Sequence, residues 1–163
     1  MMNRQTIIHE LALQEAVRRQ MDAIVQAANA AAVLLEGSDM EKNQIRNVLN
    51  VAEETRSPAV VTNFIRYQIG RSRTGQAWQH QGFGLHVIDD IERAGRVVDQ
   101  AGQDAVAYAR DLIAQHGGQA DEAELGRKAR QQLMCYYLGF LHRAFYFGKE
   151  TRDWKELWKA TEA

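Results

Sequence analysis

An arginine and a histidine set a few residues apart can cleave RNA without a metal. The imidazole moves the proton and the guanidinium stabilises charge on the phosphate. Arg73 and His80 offer such a pair, with six residues between them. His86, Asp89 and Asp90 fall at i, i+3 and i+4, so one helix face carries two or three metal-ligand types. A metal site needs further ligands from other helices, and the sequence marks none. A solvated His86 paired with Asp is therefore the preferred reading, and no metal or cofactor is expected. Cys135 lies beside Met134 and Tyr136 without a His partner in the neighbouring sequence, which favours a buried structural thiol over a nucleophile. No residue is assigned a catalytic role.

Binding chemistry is better represented. Lys42 and Arg46 are i, i+4 neighbours, with Asn43, Asn47 and Asn50 running beside them. Asn63, Arg66, Tyr67 and Gln68 follow, then Arg71 and Arg73. Arg, Asn, Gln and Tyr are side chains that contact phosphate and ribose. Arg127, Lys128, Arg130 and Arg143 add a second basic stretch. Of the 20 basic residues, 15 are Arg, whose planar fork of donors matches phosphate and carboxylate. The net charge of −1 conceals a segmental pattern. Residues 1–41 carry −3, residues 42–73 carry +4, residues 74–126 carry −6 and residues 127–159 carry +5. Either basic helices pair with acidic ones, within the chain or between copies, or a basic surface holds a polyanion.

The elements that must position these groups read as helices throughout. The chain has 163 residues, 45% of them hydrophobic and 25% charged, with one proline and 12 glycines. That profile suits one folded domain and argues against an all-β sandwich. Apolar residues recur at three- and four-residue steps over 5–35, from Ile7, Ile8 and Leu11 to Leu35. Ser38-Asp39-Met40-Glu41 spells a capping box for a second helix to about Arg56. Ser57-Pro58 starts a third, which is expected to bury Val60, Val61, Phe64, Ile65 and Ile69 and to end at Gly70. Residues 70–84 hold four glycines among polar side chains and read as a long polar loop. A fourth helix over about 85–115 carries Leu85 in its apolar stripe, a fifth runs from about 121 to 148, and a short sixth covers 151–161. The expected architecture is an all-α, single-domain bundle of five to six helices.

Eight of the 13 aromatic residues lie between Tyr136 and Trp158. They cannot all face one way on a single helix. Tyr136, Tyr146 and Phe147 are left for a partner or a second copy, and Trp154 with Trp158 forms a docking element for the protein body or a neighbour. The N-terminus has no long apolar run, so neither a signal peptide nor a spanning helix is expected, and a cytoplasmic location is the default.

Two resemblances bear on function. The Arg73–His80 spacing resembles, at its outer limit, the Arg-x(4–6)-His motif of HEPN-type helical ribonucleases, here with Thr74-Gly75 after the Arg. Asn43-Gln44-Ile45-Arg46, with Asn63-Phe64-Ile65-Arg66-Tyr67-Gln68 and Gly70-Arg71, resembles the small helical subunit of type III (Csm-type) CRISPR–Cas effector complexes. This second likeness covers roughly residues 38–73. It implies a non-enzymatic, all-helical subunit that stacks in several copies inside a ribonucleoprotein, contacting the guide–target RNA duplex and other effector subunits. By that resemblance Gln44, Arg46, Arg66 and Arg71 contact RNA; Lys42 and Arg73 join them by charge and position. The alternative is a protein–protein adaptor that docks through its aromatic C-terminal region.

Overall fold

The computed structural model describes residues 3–71 and 75–162, and among these every regular element is helical. In chain order these are α1 (Arg4–Arg18), α2 (Met21–Val33), α3 (Lys42–Thr55), α4 (Pro58–Gly70), α5 (Gly75–Gln79), α6 (Phe83–Glu92), α7 (Val97–Gln115), α8 (Glu122–Thr151) and α9 (Trp154–Glu162). A 3₁₀ turn at His80–Gly82 joins α5 to α6. None of these helices is long and apolar enough to cross a membrane.

The 30-residue helix α8 is the axis of the bundle. At 1.5 Å rise per residue it extends about 45 Å. Leu125, Ala129, Leu133, Tyr137, Leu141, Ala144 and Gly148 make a buried stripe along it at steps of three and four. It packs most extensively on α2, then on α7 and α3, while α1 lies on α7 and α9 on α2. Small side chains allow the α2 contact, where Ala28, Ala31 and Ala32 are fully buried. The pair α4 and α6, bridged by α5, completes one end.

Several expectations need correction. Among the described residues there are more than six helices, because two long ones are broken and the expected loop contributes α5. The first breaks at Arg19-Gln20, where Gln20 N–H donates to the Val17 carbonyl at 3.0 Å in a tight turn. Both residues keep right-handed dihedrals, so neither glycine nor proline announces the bend. The other breaks at Gly95, whose φ of +77° a side chain would strain and whose N–H donates to Asp99 at 2.9 Å. The capping box sits three residues later than expected. Glu41 is the N-cap of α3, and its N–H donates to the Gln44 side chain at 2.9 Å. Ser57 and Pro58 start α4 as expected, with Ser57 Oγ accepting from Val60 N–H at 3.2 Å. Ile7, Leu11, Val60 and Leu85 face solvent rather than the core.

Of the expected polar loop at 70–84, residues 72–74 lie outside the described residues, and residues 75–84 are instead folded. Ala77, Trp78 and Phe83 are buried, with the Trp78 and Phe83 ring centroids 5.5 Å apart. Gln79 Nε2 donates to the Ile69 carbonyl at 2.9 Å, tying the segment to α4. A Cβ on Gly84 would lie 2.6 Å from Ile69 and 2.9 Å from the Trp78 carbonyl oxygen, so α6 can approach α4 and α5 only with glycine there. Glycine marks a close helix approach here, not a flexible loop.

Candidate nucleic-acid interface

The basic strip anticipated on α3 and α4 is largely spent inside the chain. Lys42 Nζ pairs with Glu150 and lies 3.9 Å from the Tyr146 ring centroid. Gln44 caps its own helix. Arg66 pairs with Glu92 on α6. Arg71 is exposed, its guanidinium 5.4 Å from the Tyr67 ring. Arg73 lies outside the described residues. Of this set, Arg46 is exposed and has no carboxylate partner among the described residues. The second basic stretch is also partly neutralised: Arg127 and Lys128 pair with Glu124, and Arg130 pairs with Asp99. Arg66–Glu92 and Arg130–Asp99 are the basic-to-acidic helix pairings that the alternating segments foreshadow.

A different arrangement emerges between α3 and α8. A groove of about 640 Å³ is lined on the α3 side by Leu49, Glu53 and Arg56 and on the α8 side by Cys135, Tyr136, Gly139, Phe140, His142 and Arg143. Arg56 ends α3 in the left-handed region at φ 49°, its N–H bonded to the Ala52 carbonyl at 2.8 Å. Arg143 lies 6.0 Å from the Phe140 ring centroid. Neither arginine forms an ion pair among the described residues, and Arg46 lies close enough to His142 to act on its charge. Burial first, then the positive fields of Arg46 and Arg143, push the His142 imidazole below its ordinary range. Its Nε2 is buried without a hydrogen-bond partner among the described residues. The groove thus concentrates positive charge that the fold leaves uncompensated, apart from Glu53 on its wall.

Cys135 is half-buried rather than buried as expected, and it lines the groove. Its thiol donates to the Ala52 carbonyl at 3.6 Å, and burial pushes its pKa up. That is the behaviour of a structural thiol rather than a nucleophile.

The aromatic residues divide. Tyr136, Tyr146, Phe147 and Trp158 are exposed, whereas Trp154 is buried. The Trp154 ring lies 6.2 Å from Phe145 and against the backbone of Gly148. Trp154 therefore anchors α9 on the body of this chain and is not available to a partner. A Cβ at position 148 would sit 2.4 Å from two carbons of its indole. Gly148→Ala is expected to cost about 1–3 kcal/mol through overpacking, with α9 losing hydrogen-exchange protection before α8 does. Equal protection of α9 in the two proteins would show that the indole is not the anchor.

The catalytic candidates fare differently. His80 Nε2 sits 2.9 Å from the Glu36 carbonyl oxygen, while its proposed partner Arg73 is not described. His86 is paired with Asp90 at 3.2 Å, but that carboxylate is buried, not solvated. Asp90 also accepts from Tyr137 Oη and Arg96 Nη2, each at 2.6 Å. Burial pushes the Asp90 carboxyl up, and the hydrogen bonds from His86, Tyr137 and Arg96 with the His86 charge outweigh it, leaving it below its ordinary value. Among the described residues no group of three His, Cys, Asp or Glu is placed to hold a metal ion.

Sequence reasoning singled out Arg46, Tyr136 and Arg143 but missed Arg56 and His142. One signal was available: Tyr136, Phe140 and Arg143 share a helix face at i, i+4 and i+7. Comparisons with protein-family models, curated proteins and solved structures find no match to this chain.

Proposed function

We propose that this chain is a non-enzymatic, RNA-associated assembly subunit of a CRISPR-type ribonucleoprotein in the cytoplasm. It holds RNA backbone through arginine side chains and stacks on neighbouring subunits. One observation carries the reading: Arg56 and Arg143 line a single groove, Arg46 acts on the charge of His142 in its wall, and none of the three forms an ion pair among the described residues. A folded protein usually compensates clustered cations or uses them. Arginine forks match phosphate, and aromatic rings beside them suit nucleotides. The likeness of residues 38–73 to the small CRISPR subunit supports the same class of partner. The ion pairs of Lys42 with Glu150 and of Arg66 with Glu92, however, move the proposed contact surface toward Arg56 and Arg143.

The test is RNA affinity as a function of salt. Replacing Arg46, Arg56 and Arg143 together by Ala is expected to weaken binding at least about ten-fold. The log–log salt slope should also fall by about 2, since each lost phosphate contact removes roughly 0.7–0.9 from it. Arg66→Ala, which breaks an existing ion pair, should change the slope little. Full binding by the triple variant at moderate salt would rule the groove out as the RNA surface.

A second reading is supported by the exposure of Tyr146 and Phe147 on α8 and Trp158 on α9. These rings suit a protein–protein contact, either with a second copy or with another subunit. Tyr146 adjoins the RNA groove, its ring centroid 6.4 Å from that of His142, so the two surfaces meet on α8.

A further inference from the structure

We infer that the Tyr136–Phe140 pair is a seat for an unpaired base, so that the groove takes single-stranded RNA in preference to a duplex. This rests on the RNA reading above and adds the form of RNA recognised. The two rings are stacked, with centroids 6.0 Å apart and planes 24° from parallel. Tyr136 is 48% exposed, leaving much of its surface open to solvent.

The pair also occupies a distinctive position. Gln132, Tyr136 and Phe140 form a ridge at i, i+4 and i+8 on α8, with a cleft on each side. On one side lies the arginine groove against α3. On the other is a cleft of about 580 Å³ against α1 and α2, lined by Gln14, Val17, Arg18 and Met21. The two sides differ in chemistry. Toward α3 are Arg56 and Arg143, without ion-pair partners among the described residues and suited to phosphates, with one carboxylate, Glu53, beside them. Toward α1 and α2 are apolar Val17 and Met21 with the amides of Gln14 and Gln132. Arg18 on that side is already held by Glu15, with contacts at 2.6 and 2.8 Å.

A nucleotide has the same polarity, with an anionic phosphate at one end and a flat, hydrogen-bonding, weakly polar base at the other. A strand crossing the ridge can place phosphate beside Arg56 and Arg143, with Arg46 near His142 adding to the positive field. Its base then stacks on Tyr136, with its edge toward the glutamine amides, which both donate and accept. A base within a duplex has both faces covered by its neighbours and cannot use this ridge. An acidic peptide would satisfy the arginines but would have no use for a stacked ring pair flanked by amides.

The test uses the full chain and three probes of one length: single-stranded oligoadenylate, the same strand with abasic positions, and its duplex with oligouridylate. The wild type should bind the intact single strand at least about ten-fold tighter than the abasic strand or the duplex, the size expected of one or two stacked bases. Tyr136→Ala should remove that preference and leave abasic and duplex binding unchanged. Tyr136→Phe should keep it within about two-fold. The side chain is exposed, so these variants leave the core intact. Incorporated 2-aminopurine should lose fluorescence on binding to wild type and to Tyr136→Phe only.

Equal binding of all three probes by wild type would overturn the base seat. So would an unchanged preference in Tyr136→Ala, or a variant that alters self-association while RNA affinity stays the same. If those failures occur while the arginine variant still loses RNA, only the base seat falls. If wild type binds none of the probes, both readings fall.

Discussion

Asp90→Ala should lower unfolding stability by about 3–5 kcal/mol, the loss expected when one partner of a buried charged network is removed. For a chain of 163 residues this amounts to roughly 6–20 °C in Tm. Asp90 is 1% exposed, and its two oxygens accept from Tyr137 on α8, Arg96 at the start of α7 and His86 one turn earlier on α6. Three helices therefore depend on one carboxylate. Its removal leaves a fully buried phenol without its acceptor and a guanidinium whose Nε already lacks a partner among the described residues. Tyr137→Phe, by contrast, deletes one donor and leaves Asp90 two, so about 1 kcal/mol is expected. Acid titration supplies an independent check. The folded-state pKa of Asp90 is depressed below 3.8, so its stabilisation is present above the unfolded pKa. It is lost as pH falls through the folded value. Asp90→Asn should be less stable than wild type near neutrality and show a shallower loss of stability below about pH 4. A variant within 1 kcal/mol of wild type, with the same acid profile, would show that the network contributes nothing net.

The helices themselves were legible because their signals are local. Apolar steps of three and four, the Ser57-Pro58 start and the stop at Gly70 each depend on a few adjacent residues. The bend at Arg19-Gln20 left no mark, because right-handed dihedrals continue through it and every residue there is compatible with a helix. The fate of the basic residues was also hidden. Arg66 and Lys42 look like available cations until α6 and the end of α8 bring Glu92 and Glu150 to them. Arg56 and His142 are 86 positions apart and meet only because α3 lies along α8. Charge composition can be counted along a chain, but which charges remain uncompensated depends on the tertiary fold.

The segment after α4 gives the second large effect. Four glycines and several polar side chains gave it the profile of a loop, and a loop tolerates substitution. Trp78, however, is 1% exposed, lies on Phe83 and belongs to a short helix packed on both α4 and α6. Its truncation to Ala removes the largest fully buried side chain among the described residues, where Gly84 already brings the backbones together. Collapse into the space is therefore limited, and a cost of about 3–5 kcal/mol is expected. In denaturant unfolding the midpoint should fall with an unchanged slope, because the surface exposed on unfolding stays the same. Trp78→Phe should cost less than the Ala variant, since a ring remains to meet Phe83 and the indole N–H, which has no partner among the described residues, is removed. His80→Ala, which loses a single contact to the Glu36 carbonyl, should stay within about 1.5 kcal/mol. The ranking Trp78→Ala far above His80→Ala is what a structural corner requires. A Trp78→Ala protein as stable as wild type would return residues 75–84 to the status of a loop.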